Sequence, residues 1–222
     1  MGRGTSKVSD SAGSLAALTK GLHVEGGPRA YEKEAIKVIQ GVKDVLDDFG
    51  MADGIRGIRY SDKAIMGGDQ NASMNGIGEL SISPKYLSNG EKNSDGYFVS
   101  DTFYGTGAHE AGHAVVNGLL RKVPIEGDAK SENLKIATAR SKGKLEHAIL
   151  KEAKRRNGGQ NPPISKYGST KEIEKVAEAV SDVYSNKGKA NPYSKVIVGV
   201  MKDINSGTFN PKLKVSRREM GI

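Results

Sequence analysis

Ten residues near the middle of the chain, Gly107-Ala108-His109-Glu110-Ala111-Gly112-His113-Ala114-Val115-Val116, constrain its fold more than any other stretch. They sit in a helical pattern, with Phe103, Val115, Leu119 and Leu120 supplying the side that must be buried. Residues four apart on a helix share a face, about 5–6 Å from one another. His109 and His113 therefore point the same way, with Glu110 beside them. In this His-Glu-x-x-His arrangement two imidazoles reach one zinc ion while the glutamate takes a proton from water. Ala111 and Gly112 are small enough to let the helix lie close against its neighbours. Only 4 histidines occur among 222 residues, so chance should produce this pattern in fewer than about one such sequence in a hundred.

The absence of cysteine removes disulfides, thiolate metal sites and cysteine nucleophiles together, leaving nitrogen and oxygen as metal donors. A formal net charge of +8 raises nucleic acid as a partner. The lysines are scattered, however, and only Lys212-Leu213-Lys214-Val215-Ser216-Arg217-Arg218 is locally basic, which reads as a solvated tail. Nucleic acid is therefore an unfavoured partner. No run of about 18 apolar residues is present, and Met1-Gly2-Arg3-Gly4-Thr5-Ser6-Lys7 lacks the apolar core of a signal peptide. The expectation is no membrane partner and a cytoplasmic or virion-associated location.

The length suits one domain. Residues 1–28, rich in Gly, Ser, Lys and Thr, read as a flexible arm, 29–205 as the domain and 206–222 as a basic tail. Within the domain, Ala35, Ile36, Ile39, Val42, Val45 and Leu46 predict a helix that starts near Pro28 and stops at Gly50. Ile58 and Tyr60 alternate with Arg59, and Leu80 and Ile82 with Glu79, Ser81 and Ser83, which predicts strands of a small mixed sheet. Helical patterns follow at about 101–121, 131–156 with a possible break at Gly143, 170–187 and 192–204. Ser169 with Glu172 has the spacing of a capping box, and Asn191-Pro192 that of a cap followed by proline at the first helical position. The fold class is α+β, a small sheet packed on helices with a mainly helical C-terminal half.

A catalytic zinc takes three protein ligands and keeps a fourth position open. A metzincin would place glycine and histidine where Val116 and Leu119 stand, so that subclass is excluded. Three candidates remain for the third ligand. His147 lies on an amphipathic helix and reads as a surface histidine. Glu132 follows His113 after 18 residues, a spacing used by gluzincins, but Ser131-Glu132-Asn133-Leu134 also reads as a helix start, where an acid suits the dipole. Glu178 flanks the apolar stripe Ile173, Val176, Ala177, Val180 and Val183 among alanines, an unusual place for a charge without a partner. Asp182, one turn on, is placed to orient a histidine. Glu178 is preferred, with Glu132 open.

Beyond the histidine helix, Tyr167-Gly168-Ser169-Thr170, Glu172, Ala177-Glu178-Ala179, Tyr184 and Asn191-Pro192 resemble the anthrax-lethal-factor-like zincins, including metallopeptidase domains of phage head-associated proteins. His109 to Ala114 is also locally similar to the metal helix of membrane-anchored AAA+ proteases. The first resemblance spans about residues 55–204. It implies a zincin-like fold, zinc held by His109, His113 and Glu178, Glu110 as general base, and Tyr167 donating to the oxyanion of a peptide substrate. The substrate would lie extended along the strand near Glu79–Ser83. The competing expectation is a phage-associated structural or assembly protein whose zinc is a staple.

Overall fold

The computed structural model describes residues 14–28, 30–62, 71–91, 94–129 and 131–222. In chain order these form α1 (Leu15–Leu18), β1 (His23–Glu25), α2 (Glu32–Asp48), β2 (Gly57–Tyr60), β3 (Ala72–Met74), β4 (Glu79–Ile82), α3 (Pro84–Asn89), α4 (Phe103–Leu119), β5 (Ile125–Glu126), α5 (Glu132–Ser141), α6 (Lys144–Arg156), α7 (Glu172–Asn186), α8 (Pro192–Ser206), β6 (Leu213–Lys214) and α9 (Arg217–Met220). The class is α+β with a small mixed sheet. Among the described residues, no helix is long and apolar enough to cross a membrane.

The helices begin and end for local reasons. Gly50, at φ 64°, stops α2 as expected. Thr102 caps α4 by accepting the Gly105 N–H, and Asn191 caps α8 by accepting the Tyr193 N–H ahead of Pro192. Gly143, in left-handed backbone at φ 58°, divides the long helical pattern into α5 and α6. The Ser169–Glu172 capping box does not form. Residues Tyr167–Ser169 make a separate turn of 3-10 helix, and α7 starts later, behind Lys171.

Eleven of the 17 residues of α4 are buried and none is fully exposed, as its run of small and apolar residues requires. On one side it crosses α2, and two glycines set the distance. A Cβ on Gly107 would lie 1.9 Å from the Val38 carbonyl oxygen, and one on Gly41 would lie 2.2 Å from that of Tyr104. On the other side α4 meets α7, where a Cβ on Gly112 would come within 3.0 Å of the Ala177 Cα. These contacts seat α4 between two helices and fix which turn of α7 faces His109 and His113. Val38, Ile39, Val42 and Val45 of α2, Ala108, Ala111 and Val115 of α4, and Val180 of α7 fill the space between with no exposed surface.

The four-stranded sheet has the order β1-β2-β4-β3, with β1, β2 and β4 parallel and β3 antiparallel to β4. Ile58, Leu80 and Ile82 point into the core. Because β4 is paired on both sides, Glu79–Ser83 has no free edge for an extended substrate. Among the described residues β3 is the edge strand on that side. The outer strands β1 and β3 have three residues each and carry no alternation in the sequence.

Parts of the expected arm and tail belong to the fold. β1 pairs with β2, and α1 rests near α2, where Lys43 donates to the Leu18 carbonyl at 2.8 Å. At the other end β6 pairs with β5, Leu213, Val215 and Met220 are buried, and Ser216 and Glu219 form a capping box on α9. Apolar residues at 213, 215 and 220 outweigh the basic ones between them. Residues 1–13 of the expected arm lie outside the described residues.

Candidate metal centre

The facing surfaces of α4 and α7 each carry an i, i+4 pair: His109 and His113 on α4, Glu174 and Glu178 on α7. The crossing brings them together. Glu174 Oε2 lies 3.3 Å from His109 Nε2 and 3.5 Å from His113 Nε2. The donor atoms of His109, His113 and Glu174 all fall within 4.8 Å of one another.

Glu178 sits one turn further along, behind the first histidine. Its Oε1 is 2.9 Å from His109 Nδ1, and its Oε2 accepts the Val99 N–H at 2.7 Å. The preferred ligand of the sequence reading therefore meets the nitrogen facing away from the cluster. Asp182, one more turn along, does not reach a histidine. It accepts from the Asn186 side chain and the Asn191 N–H, tying α7 to the start of α8. The remaining candidates are elsewhere. Glu132 is 63 % exposed and pairs with Lys135 in the first turn of α5. His147 is 66 % exposed and pairs with Glu172.

Glu174 entered no sequence-based candidate set, although a signal for it exists. Glu174-x-x-x-Glu178 repeats on α7 the spacing of the histidines on α4, placing two carboxylates on one face.

Glu110 is buried beside the pair, and its Oε2 accepts the Met74 N–H from β3 at 2.9 Å. Burial pushes its carboxyl above the ordinary carboxylate range, against the lowering pull of His109, His113 and the Met74 N–H. For His109, burial lowers the pKa, but Glu174 and Glu178 outweigh it and carry the imidazole up to about 10. Glu174 is itself pulled well below its ordinary value: burial opposes this, and the two histidines prevail. Tyr167 stands over the pair, with its ring centroid 5.8 Å from that of His109. Burial first, then the charge of Glu174, raise its phenol above the ordinary range, so at neutral pH it is a hydrogen-bond donor.

The donor set fits a divalent cation. Zinc–nitrogen and zinc–oxygen bonds of about 2.0–2.1 Å in tetrahedral geometry place ligand atoms about 3.3 Å apart, close to the 3.3 and 3.5 Å found here. Glu174 Oε2 is buried and stands against the two histidine Nε2 atoms, an ion pair in the metal-free chain that a cation would replace. Among the described residues three donors come together, which would leave a fourth position on a tetrahedral cation, and they open into a cavity of about 740 Å³ lined also by Glu110, Tyr167 and the strand β3.

Compared with known proteins, the chain matches no family model, no curated protein and no solved structure.

Proposed function

We propose that the protein is a zincin-like, zinc-dependent metallopeptidase with His109, His113 and Glu174 as ligands. The observation that carries this reading is the approach of one buried carboxylate oxygen to two Nε2 atoms, at 3.3 and 3.5 Å, with Glu110 adjacent and a cavity in front. Glu178 moves from ligand to orienting group: by accepting the Nδ1 proton of His109 it presents Nε2, unprotonated, to the cation.

Bound zinc would supply a Lewis acid that polarises the peptide carbonyl and acidifies a water. The chain's own groups do the rest. Glu110 accepts the proton of the attacking water and returns it to the leaving amine, and its raised pKa suits both halves of that task. Tyr167 donates to the oxygen on which negative charge develops. The substrate runs along β3 in place of β4. Asn71 and Asn75 spend their backbone groups on β4, through Ser83 N–H to Asn71 and Asn75 N–H to Glu79. Ala72 and Met74 therefore turn theirs toward the cavity, where Met74 N–H already holds Glu110.

A metal staple without catalysis is closed by four protein donors, whereas among the described residues this cluster offers three and a cavity. Hydrolysis of a mixed peptide library by the zinc-loaded chain tests the reading. Cleavage that disappears on chelation, returns with zinc, and is lost in Glu110→Gln with zinc retained is the expected result. Stoichiometric zinc with no cleavage would leave the staple in its place.

A further inference from the structure

The segment 94–101, between α3 and α4, takes no part in the chemistry above, yet it is built to hold rings beside the centre. Asp95 and Gly96 adopt left-handed backbone, at φ 51° and 75°, and turn the chain before Tyr97 and Phe98. The Tyr97 and Phe98 rings meet edge to face at 4.9 Å, and Phe98 meets Tyr167 in the same way at 5.1 Å. Tyr167 in turn approaches His109. A continuous aromatic wall thus runs from the rim of the cavity to the first histidine, and all three rings line that cavity. Tyr97 remains 43 % exposed, so the wall keeps an uncovered apolar face.

The segment is fastened at several points. Tyr167 N–H donates to the Tyr97 carbonyl at 2.8 Å, and Phe98 N–H to Ser94 Oγ at 3.1 Å. Val99 N–H donates to Glu178, the carboxylate that orients His109. One carboxylate therefore sets the wall and the histidine relative to each other. A wall held in this way needs no ordering when a side chain docks, which favours affinity and selectivity.

We propose that Tyr97, Phe98 and Tyr167 form the specificity pocket of this centre, receiving a large apolar or aromatic side chain of an extended peptide next to the bond positioned at His109. The inference rests on the peptidase reading for its substrate class. Offset and edge-to-face packing on three rings selects a phenyl or a branched aliphatic group over a methyl.

The test uses the full zinc-loaded chain and peptides differing only at one position beside the cleaved bond, carrying Phe, Leu or Ala. Phe and Leu should exceed Ala in kcat/KM by at least about tenfold. Phe98→Ala should cut the Phe-to-Ala ratio by about tenfold with zinc stoichiometry kept, and the exposed position Tyr97→Ala, which endangers folding least, should move it in the same direction. Calorimetry on zinc-loaded Glu110→Gln reads binding of the same peptides without cleavage. If the chain cleaves nothing while Glu110→Gln still binds the Phe peptide over the Ala peptide, the peptidase reading falls and the pocket stands. Equal binding of all three peptides, or a ratio that neither substitution changes, overturns the pocket.

Discussion

Glu178 bonds to His109 through Nδ1, at 2.9 Å, while Glu174 faces the same imidazole through Nε2 at 3.3 Å. Two carboxylates one helical turn apart thus divide the two sides of one ring. Glu178→Gln replaces two acceptor oxygens by one, so either His109 or Val99 loses its partner. Zinc affinity is expected to fall about 10–100-fold, the usual cost of losing such an orienting partner. Chelator competition measures it. Glu174→Ala removes a donor and should abolish stoichiometric zinc, so the larger loss belongs to Glu174.

Tyr167→Phe should keep zinc and leave KM nearly unchanged while kcat falls on the order of 10²-fold, as for loss of one donor to a developing oxyanion. Steady-state kinetics with a cleaved peptide provide the measurement. An unchanged kcat would reduce Tyr167 to a member of the aromatic wall.

Proton release should accompany metal uptake. With its pKa raised to about 10, His109 of the metal-free chain carries both ring protons at neutral pH, and the one on Nε2 must leave before a cation binds. Zinc affinity should therefore rise with pH, by about tenfold per unit below about 10. The same shift acts on stability: a folded pKa above the ordinary 6.5 contributes stability that is complete below 6.5 and lost as pH rises through about 10. Metal-free protein should accordingly melt at lower temperature at pH 10 than at pH 6.5. Titration calorimetry in buffers of different ionisation enthalpy counts the protons.

Gly107→Ala should destabilise the fold, because its Cβ would be driven to 1.9 Å from the Val38 carbonyl oxygen and backbone cannot give way as a side chain does. Overpacking costs about 1–3 kcal/mol in ordinary cases, and this contact lies at the severe end. Gly118→Ala is the internal comparison, since its Cβ would meet the flexible end of Met51 at 2.7 Å. Thermal melts should rank Gly107→Ala well below Gly118→Ala.

The histidine pair was legible because its geometry is local: a spacing of four residues on one helix decides it. The proposed third ligand was not, because it depends on which turn of α7 a close helix crossing presents. The alanines around Glu178 did signal burial, and it is 2 % exposed. Burial, however, marks the carboxylate tucked behind the ring. A carboxylate that is to hold a cation has to open on the cavity, and Glu174 is 18 % exposed. Strands β2 and β4 alternate and could be read, whereas β1 and β3 are three residues long, too short for a period of two to declare itself. The alternation of β4 therefore draws the sequence reading to Glu79–Ser83, whereas the edge that faces the cavity is β3.

The most direct measurement is a zinc-soaked crystal with anomalous scattering collected on both sides of the zinc edge. The predicted result is one peak within about 2.2 Å of His109 Nε2, His113 Nε2 and a Glu174 oxygen, with Glu178 still on His109 Nδ1. A peak coordinated by Glu178 in place of Glu174, or no peak between the two histidines, would contradict it.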